Sequence, residues 1–197
     1  MKNSKTIAVI LGLAMSAALP LAAHAQAATP GIYAGVNIGQ SESLKYDCSL
    51  FPDCKKKGTA WKLYSGWQFH RNWGAEIGFT DLGRVVSAHS PGSSDEIKVR
   101  LGELTMVGSL PFSDRISGFG KAGVYYAGAV HDVTLNGSTS HLTHSNASVT
   151  YGFGLQFFVY RGLGLRGEYQ KYLRVGGDAV AQSDYQAITG GLIWKFE

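Results

Sequence analysis

Residues 148–159 read SVTYGFGLQFFV, and they carry the clearest structural pattern in the sequence. Apolar side chains occupy every second position: Val149, Tyr151, Phe153, Leu155, Phe157 and Val159. The positions between them hold serine, threonine, glycine and glutamine as far as Gln156. Side chains of an extended chain point alternately to opposite faces, whereas helical spacing would mix the two sets. The stretch therefore predicts a β-strand with one apolar face and one small or polar face.

Seven further stretches after Thr29 repeat this alternation, which gives eight strands. Their apolar faces lie within residues 32–38, 61–69, 73–79, 104–110, 116–126, 163–169 and 188–196. Short turns are expected at 70–72, 112–115 and 160–162, and longer polar loops at 41–58, 84–95, 131–145 and 173–184. An even number of strands, with short turns at one end and long loops at the other, is typical of an outer-membrane barrel.

A soluble eight-stranded barrel of the lipocalin type alternates in the same way, but its apolar face points inward. Two features favour the membrane: a glycine-rich opposite face that carries charges of both signs, and aromatic residues near the short turns, as in an interfacial girdle. These aromatic residues are Trp67, Phe69, Trp73, Phe112, Phe157, Tyr160, Trp194 and Phe196. The sequence predicts an all-β fold, an eight-stranded antiparallel transmembrane β-barrel arranged as an up-and-down meander.

The composition excludes several other classes of protein. Of the 197 residues 26 are glycine, and only 16% are charged. This composition argues against a helical bundle, a coiled coil or a disordered chain. The length predicts one domain. The net charge of +4 is small and scattered, so nucleic acid is not an expected partner.

The N-terminal segment, residues 1–25, is predicted to be a cleaved secretory signal peptide. A positively charged start precedes an apolar core at residues 7–21, and Ala23-His24-Ala25 forms a small-x-small cleavage site. The alternative, a membrane anchor, needs about 20 apolar residues. We expect the barrel domain to occupy residues 26–197 and the protein to be located in the bacterial outer membrane.

Export places the two cysteines, Cys48 and Cys54, in an oxidising compartment. A disulfide that closes a short surface loop is expected, whereas a metal site would need further ligands that are not nearby. No metal and no cofactor are predicted. The adjacent run Lys55-Lys56-Lys57 is expected to be exposed, and it contacts lipopolysaccharide phosphates, host glycans or solvent alone.

Several motifs resemble the OmpA-like transmembrane domain family. Residues 66–68, 74–79 and 82–84 (GWQ, GAEIGF and LGR) resemble its second hairpin, and residues 165–170 (LRGEYQ) resemble its seventh strand. The C-terminal pattern of Thr189, Gly191, Trp194 and Phe196 is similar to the signal by which the assembly machinery recognises outer-membrane barrels. The resemblance implies that the protein is a monomer and that its partners are outer-membrane lipid and lipopolysaccharide. The size is similar to small stand-alone barrels of the OmpX and Ail type, without a periplasmic domain.

Four charged side chains are assigned to the lumen: Glu76, Lys121, Arg166 and Glu168. The lumen of eight strands is nearly filled by side chains, so these charges are expected to form ion pairs. The family resemblance implies that Glu76 and Arg166 belong to a salt-bridge gate, in which Gln156 and Val107 occupy two further positions. Two interpretations remain open, a rigid plug and a conducting gate.

An enzymatic function is not expected. The candidate pair His144-Ser145, with His141 nearby, has no orienting third group, and the pair is expected in a polar loop. The predicted function is a structural, envelope-stabilising barrel whose surface loops interact with a host or surface ligand. The alternatives are a small, low-conductance gated pore for ions or small solutes, and a surface adhesin.

Overall fold

The computed structural model describes residues 30–44, 53–90, 93–135, 138–160, 162–177 and 180–196. Within these ranges the chain forms nine strands. They are β1 (Gly31–Ser43), β2 (Asp53–Lys55), β3 (Lys57–Gln68), β4 (Trp73–Ser90), β5 (Ser93–Pro111), β6 (Ile116–Leu135), β7 (Ser138–Tyr160), β8 (Leu163–Gly177) and β9 (Val180–Lys195). In the described part of the chain, no helix is long and apolar enough to cross a membrane.

Eight strands form a closed barrel. From β3 to β9 each strand pairs antiparallel with the next, and β1 pairs with both β3 and β9. The β1–β9 pairing runs from Tyr33 opposite Lys195 to Ser43 opposite Tyr185, and it closes the sheet. The three-residue strand β2 lies outside this ring, beside the end of β4. The predicted eight-stranded antiparallel meander is confirmed.

The apolar faces point outward, so the soluble-barrel alternative is wrong. Ile77, Phe153 and Ile188 are 64%, 61% and 65% exposed, as expected for side chains that contact hydrocarbon. Inward-facing polar residues such as Asn37 and Thr80 are instead buried, each 1% exposed. The aromatic side chains assigned to the girdle are all exposed on the outer surface.

The strands continue much further than the alternation of the sequence indicated. Residues 84–95 and 131–145, which were predicted to be loops, are mostly strand in the β4–β5 and β6–β7 hairpins. His144 therefore lies in β7, opposite Ala129, and Lys55 and Lys57 lie in β2 and β3. Backbone pairing needs no apolar face, so polar strands outside the hydrocarbon carry no alternating signal.

Candidate functional site: the luminal charge cluster

Six charged side chains meet halfway along the lumen, and we call them the luminal cluster. They are Lys62 on β3, Glu76 on β4, Glu103 on β5, Lys121 on β6, and Arg166 and Glu168 on β8. Each is at most 5% exposed. Alternation along each strand points these side chains inward, and the narrow barrel brings five strands within reach of one another. Three acids and three bases give the luminal cluster no net charge.

Arg166 is the most constrained member of the cluster. Its Nη1 donates to Oε2 of Glu76 at 2.8 Å, and its Nε and Nη2 donate to Oε2 of Glu168 at 3.0 and 2.7 Å. The guanidinium carbon also lies 4.4 Å from the ring centre of Tyr64 and 4.1 Å from that of Phe119. Charge-assisted hydrogen bonds and aromatic faces together fix the plane of the guanidinium.

The two lysines link all three carboxylates. Lys62 Nζ donates a hydrogen bond to Oε1 of Glu103. It also lies 3.0 Å from Oε1 of Glu168 and 3.7 Å from Oε1 of Glu76. Lys121 Nζ lies 2.5 Å from Glu168, 3.3 Å from Glu76 and 3.4 Å from Glu103. Each carboxylate therefore has at least two cationic partners, which offsets the cost of burying its charge.

Neutral side chains complete the hydrogen bonding of the cluster. Gln170 accepts a bond from Lys62 at 2.9 Å and donates to Oε2 of Glu103 at 2.8 Å. The hydroxyl of Tyr172 donates to the same carboxylate oxygen at 3.0 Å, and that of Tyr33 donates to Oε2 of Glu76 at 3.2 Å. A network satisfied in this way makes the interior rigid.

Apolar layers lie on both sides of the cluster. The layer toward the long hairpins consists of Ala60, Leu82, Ile97, Val99, Leu101, Tyr125, Ala127, Ala129, Tyr172, Val175, Tyr185 and Ala187. Toward the short turns, Tyr33, Tyr64 and Ile193 pack together with Phe158. The charges are therefore enclosed between two groups of buried, mainly apolar side chains, although Ser41, Ser43 and Ser183 are buried near the long hairpins as well.

The glycines of the inner face make room for aromatic rings. A Cβ on Gly154 would lie 2.6 Å from the ring of Phe119, and a Cβ on Gly66 or Gly35 would collide with Tyr33 or Tyr64. Two of these rings, Phe119 and Tyr64, are the ones that flank the guanidinium of Arg166. Glycine on one strand thus allows an aromatic residue on another to support the luminal cluster.

The structure brings together all four charged residues that the sequence assigned to the lumen. The sequence-based count was nevertheless too low, because Lys62 and Glu103 also belong to the cluster. Their signal was present, since both occupy inward positions in the same alternation. Gln156 and Val107, in contrast, line a small cavity at the short-turn end, together with Tyr33.

The other predicted sites have different outcomes. Thr189 is buried in the lumen, where Asn37 donates to its hydroxyl at 3.3 Å, while Trp194 and Phe196 are about half exposed on the outer surface. Cys48 and the segment 1–25 lie outside the described residues, so the disulfide and the signal peptide stay predictions. Among the described residues no group of His, Cys, Asp and Glu is placed to hold a metal ion.

A closed barrel with an apolar exterior and a charged, filled lumen defines a small outer-membrane β-barrel, located in the bacterial outer membrane. The family model of the OmpA-like transmembrane domain matches residues 26–197. The chain therefore belongs to the OmpA-like transmembrane domain family.

Solved structures share this fold at low sequence identity. Neisserial surface protein A is 14% identical with a TM-score of 0.62, over 84% of this chain and 97% of that one. Ail, the attachment invasion locus protein of Yersinia pestis, is 18% identical with a TM-score of 0.51, over 84% of this chain and 100% of that one. OprG from Pseudomonas aeruginosa is 13% identical with a TM-score of 0.51, over 85% of this chain and 96% of that one. A search of curated proteins found no match.

Proposed function

We propose that the barrel is a sealed, rigid scaffold that stabilises the outer membrane and holds its long hairpins at the cell surface. The observation that carries this proposal is the luminal cluster, in which three acids and three bases neutralise one another between two apolar layers. A hydrated ion that entered the lumen would have to lose its water in those layers, at a cost of about 3 kcal/mol or more.

Surface interaction is the second half of the proposal. Strands β4 to β7 continue as paired hairpins beyond the apolar outer band, to the pairs Ser90–Ser93 and Leu135–Ser138. Extended pairing, which is interrupted in β4–β5 only by register shifts between Asp81 and Val86, gives these hairpins a fixed direction that suits the presentation of a binding surface. The partners we propose are lipopolysaccharide and a host or surface ligand. We propose no catalytic role, and we propose that the barrel acts as a monomer.

A gated pore is the second candidate, because the cluster contains alternative partners. If Arg166 left Glu76, Lys121 would remain 3.3 Å from the Glu76 carboxylate, so the pair has a route to rearrange. The apolar layers argue against conduction, since rearranged ion pairs would not make those layers polar. The sealed scaffold is therefore the function we favour.

Planar-bilayer recording separates these two candidates. We expect the refolded chain to give no discrete current steps, and Glu76→Ala to remain silent too, because the apolar layers are unchanged. The difference in gel mobility between unheated and heated samples confirms that each protein is folded. Glu42→Ala, near the outer rim of β1, is the matched control variant. Discrete openings in the unchanged protein that Glu76→Ala alters would establish the pore instead.

We also propose that the C-terminal aromatic residues act as the assembly signal. Trp194→Ala combined with Phe196→Ala is expected to reduce the outer-membrane level of the protein severalfold, measured by immunoblot of membrane fractions. The matched control removes Trp61 and Phe79, an aromatic pair with ring centres 5.5 Å apart at the other end of the apolar band. Equal levels in both double variants would contradict the signal assignment, since loss of girdle area alone would explain the effect.

A further inference from the structure

A groove of about 820 Å³ crosses the lipid-facing wall of the barrel. Its floor follows residues paired directly across five strands, in the order Gly35, Tyr64, Gly78, Glu103 and Tyr125. Its walls are outward-facing apolar side chains, namely Leu63, Ile77, Phe79, Leu104, Val124 and Tyr126. Because membrane strands are tilted by about 35–45°, a groove perpendicular to them is inclined to the membrane normal.

The groove has an open position at Gly102. No atom lies within 4 Å of a Cβ placed on this glycine. Phe79 on β4 and Tyr126 on β6 are its direct cross-strand neighbours, so two aromatic side chains flank a position without a side chain. Phe79 is 42% exposed and Tyr126 is 63% exposed, and both face lipid. An open slot between two rings fits a linear hydrocarbon chain.

A cationic group lies directly above this slot. Arg100 is two residues from Gly102 on the same face of β5, about 7 Å closer to the long hairpins. Its side chain is 70% exposed, and its Nε donates to Oδ2 of Asp81 at 2.9 Å. The guanidinium has four more N–H donors, and an exposed ion pair of this kind is weak. Opposite Arg100 on β6 is Gly128, around which there is also open space.

We propose that the groove and Arg100 together bind one molecule of lipid A, the anchor of lipopolysaccharide. An acyl chain occupies the slot at Gly102, and a phosphate accepts hydrogen bonds from the guanidinium of Arg100, with Gly128 leaving room for the sugar. Arginine is well suited to phosphate because its planar fork donates two parallel bonds. The choice of lipid A follows from position, since Arg100 lies toward the long hairpins, which face outward, on the lipopolysaccharide side of the membrane. This proposal rests on the lipopolysaccharide partner of the proposed function and on the membrane-embedded barrel, but it does not require a sealed lumen.

Native mass spectrometry of the detergent-refolded full chain tests the proposal. The probes are lipid A with two phosphates, the same lipid without phosphates, and phosphatidylglycerol. Gly102→Leu fills the slot, and Gly120→Leu is its matched control, because Gly120 is also lipid-facing with open space but lies outside the groove. Arg100→Gln tests the phosphate contact, with Lys171→Gln on the β8 outer face as its control.

We expect Gly102→Leu to lower the bound fraction of lipid A about fivefold, the effect of losing close packing in an apolar medium. Gly120→Leu should leave binding unchanged. Arg100→Gln should remove the preference for lipid A with phosphates over lipid A without them, and Lys171→Gln should retain it. If Gly102→Leu and Gly120→Leu reduced lipid A binding equally, the groove would not be the acyl-chain site. If phosphatidylglycerol bound as well as lipid A with phosphates, the assignment to lipid A would be wrong. Either result leaves the conductance test of the scaffold unaffected.

Discussion

Arg166→Ala is expected to destabilise the folded barrel by about 3–5 kcal/mol, since removing one partner leaves buried charge uncompensated. Glu76 loses its 2.8 Å bond, and Glu168 loses two bonds to the same oxygen. The rings of Tyr64 and Phe119 also lose the guanidinium that lies between them. The measurement is the urea midpoint of the protein refolded in lipid vesicles, followed by the mobility shift between unboiled and boiled samples.

The matched control for this variant is Arg100→Ala. Arg100 also pairs with a carboxylate, at 2.9 Å from Asp81, but its side chain is 70% exposed. An exposed pair contributes about 0–1 kcal/mol, so this variant should unfold near the midpoint of the unchanged protein. A second variant, Arg166→Lys, keeps the charge but loses the planar fork, and an intermediate midpoint is expected. If Arg166→Ala matched Arg100→Ala, the luminal cluster would not be a source of stability.

Gly154→Val is the second substitution with a large expected effect. Its Cβ would lie 2.6 Å from the Phe119 ring and would collide with the backbone oxygen of Gly167. The backbone oxygen belongs to the paired strand β8 and has little freedom to move, and the ring is fixed against Arg166. Overpacking typically costs about 1–3 kcal/mol, and here we expect the upper end of that range or beyond. The folded, faster-migrating gel band should be largely lost after refolding.

Gly167→Val is the matched control for this substitution. Gly167 lies on β8, faces lipid, and has no atom within 4 Å of a placed Cβ. A β-branched side chain suits both the strand and the apolar surroundings, so the yield of folded protein should be unchanged or higher. If both variants lost a comparable yield of folded protein, the conformational freedom of glycine would limit folding, and the space that Gly154 leaves for Phe119 would not.

The alternation of side chains determined most of the fold. Residues such as Phe153 and Ile188 could be assigned to the apolar face because a strand alternates with a period of two, which is a local property of the chain. The inward direction of Glu76 and Arg166 follows from the same rule. Patterns of this kind need no knowledge of which strands become neighbours, and they specify the strands and the two faces of each. The aromatic girdle and the charged, glycine-rich opposite face then assign the apolar face to the membrane.

Which charges meet, and what surrounds them, depends on how the strands are arranged in the closed barrel. Lys62 and Glu103 join the luminal cluster because closure of the barrel and the stagger of its strands place them at the height of Glu168, and these are long-range properties. The apolar layers depend on the same stagger. The length of the outer hairpins was also decided by pairing, since backbone hydrogen bonds continue where the side chains show no alternation. The sequence thus determined the faces of each strand, and the closed barrel determined which charges meet in the lumen and where a groove forms in its wall.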